Sequence, residues 1–224
     1  MSATNRGTTR DPKDFYATPM SAFEPLLAYL PTDVVFWEPC CGDARLIKRL
    51  RAAGRQADGA DLFPQPQWAC PPIDYLKDDT PRDFVITNPP FSVAFAMCKH
   101  ARKYSKEFMF LLRLAFLESE ERGDWLVANE PSALFVLRKR PSFVMSITCK
   151  NVLPAEWVKD PGYPNGGFSK PPVACKHNWL LPIESDRPTV CPKCGGDELA
   201  ISTSDNAGYA WMYFGTRYKG IFHI

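Results

Sequence analysis

Four consecutive residues, Asn88-Pro89-Pro90-Phe91, combine chemistry that rarely occurs together, and they close an apolar run, Phe84-Val85-Ile86-Thr87, that reads as a strand. Two prolines fix the backbone and remove two N–H donors, and Pro90 pushes Pro89 towards an extended conformation. Acceptors remain: the Asn88 side-chain oxygen and a backbone carbonyl, for which Pro89 is the best candidate. Both can accept from one NH2 group, and the Phe91 ring offers a face on which a planar base can stack. An exocyclic amine conjugated to a ring is a poor nucleophile. Holding both its protons favours a more tetrahedral nitrogen and aims the lone pair at an electrophilic carbon.

Elements must position such a turn, and an earlier stretch supplies a partner for it. Val34-Val35-Phe36-Trp37 reads as a short buried strand, followed at once by Glu38-Pro39-Cys40-Cys41-Gly42-Asp43. Asp43 is placed to cap a helix with Leu46, Ile47 and Leu50 on one face and Gly54 as its stop. Strand, tight turn and helix are how a doubly wound sheet presents a cofactor crevice at its carboxyl edge. A second strand, within residues 57–63, ends near Asp61, where a carboxylate suits two ribose hydroxyls. No Gly-x-Gly-x-x-Gly follows any strand, and no Walker-type Gly-Lys-Ser/Thr is present, which disfavours nicotinamide and nucleoside triphosphate binding.

The Asn-Pro-Pro-Phe turn resembles the signature of amino-methyltransferases that use S-adenosylmethionine, and residues 38–44 resemble their motif I, with Ala44 where the family usually has glycine. The resemblance implies an α/β, Rossmann-like methyltransferase sheet. It implies that Glu38 meets the cofactor's amino-acid moiety with Gly42 leaving room beside it, that Pro39, Cys40, Asp43 and Asn88 also bind the cofactor, that Asp61 meets its ribose, that Leu62 lies against its adenine, and that Asp74 sits near the adenine amine. Phe15-Tyr16-Ala17-Thr18-Pro19 looks like motif X, which would bring Tyr16, Thr18 and Pro19 to the methionine pocket. The same stretch also reads as an arm followed by a helix capped by Thr18 with Pro19 at its first position. Residues 111–119, Arg140-Pro141-Ser142-Phe143, Tyr209-Ala210-Trp211 and Tyr218-Lys219-Gly220 look like small phage and prophage N6-adenine DNA methyltransferases of the gamma-type motif order. That likeness implies DNA as partner, a flipped-out adenine stacked on Phe91, and Asn88, Pro89, Pro90 and Phe91 as the catalytic set. RNA adenine or a protein glutamine amide suits the same turn, and a decayed, zinc-stabilised nucleic-acid-binding protein is the reading from another class.

A second group of residues is spaced for a metal. Cys175-x-His177 is followed by Cys191-Pro192-Lys193-Cys194-Gly195-Gly196. The Cys-Pro-x-Cys-Gly turn has the form of a zinc knuckle, and one His with three Cys makes the closed tetrahedral set of a structural site. Trp179 and Leu181 are candidates for a small core around it. Lys170, Lys176, Arg187 and Lys193 are candidates for a basic face, and Arg138-Lys139-Arg140 for phosphate contacts.

The texture of the chain divides it accordingly. Residues 1–14 read as a flexible arm, 15–143 and 207–224 as the catalytic domain, and 144–206 as an insertion carrying the zinc lobe and a possible target-recognition role. Residues 151–172, rich in Pro and Gly, read as loop. The other strands expected are Phe108–Leu112, Ala133–Leu137 and Tyr209–Phe214, with a helix over Ser92–Tyr104. A length of 224 residues, 45% hydrophobic and 23% charged, allows one sizeable core, and a net charge of +2 identifies no partner. There is no uninterrupted apolar segment of membrane-spanning length and no signal-peptide core in Met1–Pro12, so the expected compartment is the cytoplasm, with no membrane partner. Eight cysteines in that setting are expected to be reduced thiols and metal ligands.

Overall fold

Short apolar runs alternating with amphipathic ones build the elements in chain order. The computed structural model describes residues 17–64, 70–141, 143–153, 157–159, 167–169, 173–175, 177–182, 189–202 and 207–224. Its main elements are α1 (Met20–Leu27), β1 (Val35–Glu38), α2 (Arg45–Ala52), β2 (Gln56–Gly59), β3 (Arg82–Thr87), α3 (Ala94–Tyr104), β4 (Ser105–Arg113), α4 (Glu120–Ala128) and β5 (Ala133–Val136). There follow β6 (Val144–Cys149), β7 (Val152–Leu153), β8 (Trp157–Lys159), β9 (Gly167–Ser169), β10 (Val173–Ala174), β11 (Asn178–Pro182), β12 (Leu199–Ser202), β13 (Tyr209–Phe214) and β14 (Gly220–His223). Two compact units result: Met1–Pro141 with Asp205–Ile224, and Ser142–Ser204.

The first unit is a mixed α/β fold around a seven-stranded sheet of order β14-β5-β13-β4-β3-β1-β2. β2, β1, β3 and β4 run parallel, whereas β13 is antiparallel to both β4 and β5. β3 and β4 are near-continuous apolar runs because both faces of the sheet are covered. Every residue of β13 is buried. Ala210, Met212 and Phe214 share a core cluster with Met97, Cys98 and Ala101 of α3. Trp211 instead meets Phe23 of α1 edge-on at 5.8 Å, and its indole N–H donates to the Ala22 carbonyl at 2.8 Å. That bond satisfies the one polar atom of a fully buried ring. From β1 the chain moves one way to β2 and the other way to β3. A crevice therefore opens beyond the carboxyl ends of β1 and β3, the topological switch point where α/β sheets bind ligands.

The second unit contains an antiparallel three-stranded sheet of order β11-β6-β12 and two short hairpin-like pairs, β10 with β7 and β8 with β9. Residues 151–172 are thus not wholly loop. β7, β8 and β9 fall within them, because short extended runs such as Trp157–Lys159 and Gly167–Ser169 pair with one another. Trp179 and Leu181 lie on β11.

Other expectations need correction. α2 is not capped by Asp43: Ala44 holds the N-cap position, and Asp43 Oδ1 instead accepts from the Arg45 backbone N–H at 3.1 Å. Gly54, at φ +75°, does terminate that helix. α1 has Pro19 at its N-cap without a side-chain cap bond, so Thr18 does not cap it. β2 stops at Gly59, before Asp61. Nor are all the cysteines reduced: Cys41 and Cys70 form a disulfide. Asp61 and Pro72 make a parallel bridge that brings the segment after Cys70 alongside the turn after β1. Among the described residues no helix is long and apolar enough to cross a membrane.

Candidate active site

β1 delivers Glu38 to the crevice with its side chain almost wholly buried, 2% exposed. Opposite it in β2 lies Gly59, where a Cβ would stand 2.3 Å from the Glu38 carbonyl oxygen. Only glycine allows the two strand ends to approach so closely. The chain then turns through two left-handed residues, Gly42 at φ +51° and Ala44 at φ +60°. Bonds across the sheet edge hold the turn: the Ala60 N–H donates to the Glu38 carbonyl and the Cys41 N–H to the Ala60 carbonyl, each at 2.9 Å.

Asp61 fastens this turn to the next. Its Oδ2 accepts from the Gly42 N–H and its Oδ1 from the Phe63 N–H, both at 2.9 Å. The bridge to residue 72 is completed by the Ile73 N–H donating to the Asp61 carbonyl at 3.1 Å. Asp74 therefore arrives beside Asp61, where its Oδ1 caps a short turn by accepting from the Leu76 N–H at 3.1 Å. Leu62 and Phe63 are 49% and 56% exposed, a pair of apolar side chains left at the rim.

β3 ends at Thr87, and Asn88-Pro89-Pro90-Phe91 leads from it towards α3. The Pro90 carbonyl accepts from the Val93 N–H at 3.1 Å. The Arg113 guanidinium lies over the Phe91 ring at 4.7 Å, and its Nε donates to the Tyr209 hydroxyl at 2.9 Å. Tyr209 and Arg113 are register partners in β13 and β4, and the Tyr209 ring is 6.2 Å from that of Phe91.

One cavity of about 310 Å³ joins these parts. Thr18, Glu38, Pro39, Cys40, Gly42, Asp43, Asp61, Leu62 and Asp74 from the expected cofactor set line it together with Asn88, Pro89, Pro90 and Phe91. Pro19 begins α1 and does not line the cavity. Tyr16 and the arm of residues 1–14 lie outside the described residues, as do Lys170, Lys176 and Arg187. Lys193, Arg138, Lys139 and Arg140 are exposed. Sequence reasoning missed Arg45, which lines the cavity while its Nη1 donates to the Thr18 carbonyl at 3.1 Å and its Nε pairs with Asp43 Oδ2 at 2.8 Å. It also missed the Arg113–Tyr209 bond; the signal was an arginine directly at the carboxyl end of a buried strand.

The electrostatics of the cavity are one-sided. Burial, reinforced by the carboxylates of Asp43 and Asp61, holds Glu38 well above the ordinary carboxyl value, although the Ile47 N–H donates to it. Glu38 Oε2 is buried and has no hydrogen-bond partner among the described residues. Burial and the charges of Asp61 and Glu38 also push the Cys40 thiol far up, so it stays protonated and is no nucleophile at neutral pH. A buried carboxyl group with one oxygen lacking a partner among the described residues, and with two more acids nearby, suits a ligand that brings positive charge.

No family model and no curated protein sequence matches the chain. Among solved structures, the chain is similar to the 23S rRNA methyltransferase ErmE at 17% identity and a TM-score of 0.37, covering 47% of this chain and 50% of that one. It is similar to a candidate RNA methyltransferase from Pyrococcus horikoshii at 10% identity and a TM-score of 0.46, over 92% and 91% of the two chains. It is also similar to the modification subunit of a candidate type I restriction enzyme from Vibrio vulnificus at 12% identity and a TM-score of 0.40, over 92% of this chain and 45% of that one. The chain thus spans about half the length of the first and the last of these.

Proposed function

We propose that the protein is an S-adenosylmethionine-dependent methyltransferase acting on the N6 amine of adenine in DNA. The observation that carries this reading is a single cavity with an acid-lined turn at one end and the Asn88–Phe91 turn at the other. The cofactor's positively charged methionine amine and sulfonium suit Glu38, whose Oε2 has no partner among the described residues. Asp61 retains acceptor capacity for ribose hydroxyls beyond the two backbone N–H groups it already holds. Leu62 and Phe63 offer apolar surface to an adenine ring. When bound, S-adenosylmethionine supplies an electrophilic methyl group.

The chain's own residues then have separable tasks. Asn88 Oδ1 and the Pro89 carbonyl accept the two amine protons; the Pro90 carbonyl is already engaged by Val93, which supports Pro89 as the second acceptor. Phe91 stacks the base on one face, and Arg113, tied to Tyr209, lies over the ring and steadies it. Asn88 orients the amine and takes no proton, since an amide is not basic at neutral pH. As the nitrogen gains the methyl group, the carbon–sulfur bond of the sulfonium would break to leave a neutral thioether, and the proton the methylated amine sheds would pass to solvent. Glu38 binds the cofactor and takes no part in the transfer. An adenine within a duplex cannot reach such a cavity, so the base has to leave the stack.

Methyl transfer from labelled S-adenosylmethionine to duplex DNA, single-stranded DNA and RNA, followed by nucleoside mass spectrometry, tests the proposal. N6-methyldeoxyadenosine in DNA is the expected product. N4-methylcytosine or methylated RNA would overturn the substrate while retaining the transferase, and absence of cofactor binding would overturn the activity itself.

A further inference from the structure

The second unit places two pairs of metal-ligand residues at one end of its sheet. β11 and β12 both pair antiparallel with β6, and Asn178 and Ala200 both face Thr148. The segments that enter these two strands therefore emerge side by side. One carries Cys175 and His177, and the other carries Cys191 and Cys194.

Two of the distances among their side chains match those a tetrahedral ion imposes. With Zn–S near 2.3 Å and Zn–N near 2.05 Å, tetrahedral angles separate two thiolates by about 3.8 Å and a thiolate from an imidazole nitrogen by about 3.5 Å. Cys175 Sγ lies 3.9 Å from Cys191 Sγ, and Cys191 Sγ lies 3.5 Å from His177 Nδ1. The three sulfurs are all within 4.8 Å of one another, and none of them is disulfide-bonded. Thiols are weak donors and weak acceptors, so such crowding gains little from hydrogen bonding alone.

The backbone is shaped to the same end. Gly195 adopts φ +72° and donates its N–H to the Cys191 carbonyl at 2.7 Å, while the Cys191 N–H returns to the Gly196 carbonyl at 2.7 Å. The turn thereby presents both cysteines to one point. Asn151, just beyond β6, links the pairs: its carbonyl accepts from the Cys175 N–H at 2.9 Å, and its Oδ1 accepts from the Glu198 N–H at 3.4 Å. Its side chain also fills the space beside Gly196, where a Cβ would come within 2.3 Å of it.

We infer that Cys175, His177 through Nδ1, Cys191 and Cys194 bind one zinc ion that organises this unit, with Asn151 as a positioning residue joining the two ligand pairs. Three thiolates and an imidazole form a soft, closed tetrahedral set, which selects zinc and leaves no position for substrate. Each thiol gives up its proton to solvent as the metal binds. A unit spanning Ser142–Ser204 falls below the roughly 70–80 residues at which one core commonly suffices, so the ion supplies what packing lacks. The inference does not depend on the proposed methyl transfer.

The test uses the full chain, purified without chelator. Elemental analysis is expected to find about one zinc per chain, as four ligands of a single closed site require. After zinc is exchanged for cobalt, the visible spectrum should show tetrahedral d–d bands with thiolate-to-cobalt charge transfer. His177→Cys should keep the metal and shift the cobalt bands to those of an all-thiolate site. Asn151→Ala keeps the carbonyl that meets Cys175 and removes only the side chain beside Glu198 and Gly196, so it should keep the tetrahedral spectrum while weakening metal affinity by no more than about 10-fold, the low end of losing an outer partner. No zinc in the purified chain together with no tetrahedral cobalt spectrum would overturn the site. So would full retention of zinc by Cys191→Ser or Cys194→Ser, each of which is expected to lose it.

Discussion

The two units solve the same problem, holding several polar side chains at one point, by opposite means. In the first, strands buried on both faces fix the ends from which Glu38, Asp61 and Asn88 project, and backbone bonds lock the turns. Its cavity is set by packing before any ligand arrives. In the second, the sheet has three strands, and the four proposed zinc ligands lie just ahead of two of them. On the proposed reading, the ligand there is part of what makes the structure. A site built on a covered sheet tolerates loss of its ligand, whereas one built on its own ligands does not.

Removing the metal is the most severe way to break that comparison. Chelation should abolish slow amide hydrogen exchange throughout β6, β11 and β12 while leaving protection in β3, β4 and β13 in place. Equal loss in both units, or none in either, would erase the distinction. Next in size, Asn88→Ala should lower methyl transfer by about 10²–10³-fold, the scale of removing one preorganised hydrogen-bonding group from a reacting centre. Cofactor binding, read by calorimetry, should stay nearly unchanged, because the acids that would hold the cofactor lie at or after the ends of β1 and β2 and not on Asn88.

Smaller effects sharpen the picture of the first unit. Glu38→Gln should weaken S-adenosylmethionine binding by roughly 10–100-fold, equivalent to the 1.5–3 kcal/mol of a hydrogen bond to a charged group. Its pH dependence has a definite sign. Glu38 is raised above its ordinary value of 4.5 in the folded chain, so its burial costs no stability below that pH and costs progressively more as pH rises towards the folded value. A cationic cofactor favours the ionised form, so binding should tighten with rising pH across that window and release a proton. Calorimetry in buffers of different ionisation enthalpy measures the release, which Glu38→Gln should remove. Smallest of all, Ala44→Gly should stabilise the first unit by about 1 kcal/mol, since Ala44 holds a left-handed conformation at φ +60° that glycine adopts without a steric cost. A fall in the denaturation midpoint would mean that the turn relaxes elsewhere.

The legible parts of the sequence were those whose chemistry is local. Asn88–Phe91 and the turn after Glu38 are contiguous, Cys175 with His177 and Cys191 with Cys194 are two pairs of near neighbours, and the strands around them follow from apolar runs. What escaped depends on partners distant in the chain. The Asp61–Pro72 bridge moves Asp74 into the cavity, and no periodicity announces a single bridge. The disulfide of Cys41 with Cys70 has a similar origin. Arg113 and Tyr209 meet only because β13 inserts beside β4. Asn151 joins the ligand pairs largely through a carbonyl, which every residue has. Ala44 misled the reading of the helix start, because its unusual φ is set by the turn and not by its own preference.

The position of β13 bears on how the chain is made. This strand fills the gap between β4 and β5, yet the ribosome delivers it only after the whole of Ser142–Ser204. At ordinary rates of synthesis that interval lasts on the order of ten seconds. Throughout it, the nascent polypeptide carries Phe108–Leu112 on a strand whose edge is unpaired, an invitation to intermolecular association. Recombinant yield should therefore respond strongly to temperature and chaperone supply. A circular permutant that begins at residue 207, so that Tyr209–Phe214 is made before β4, should escape much of that dependence.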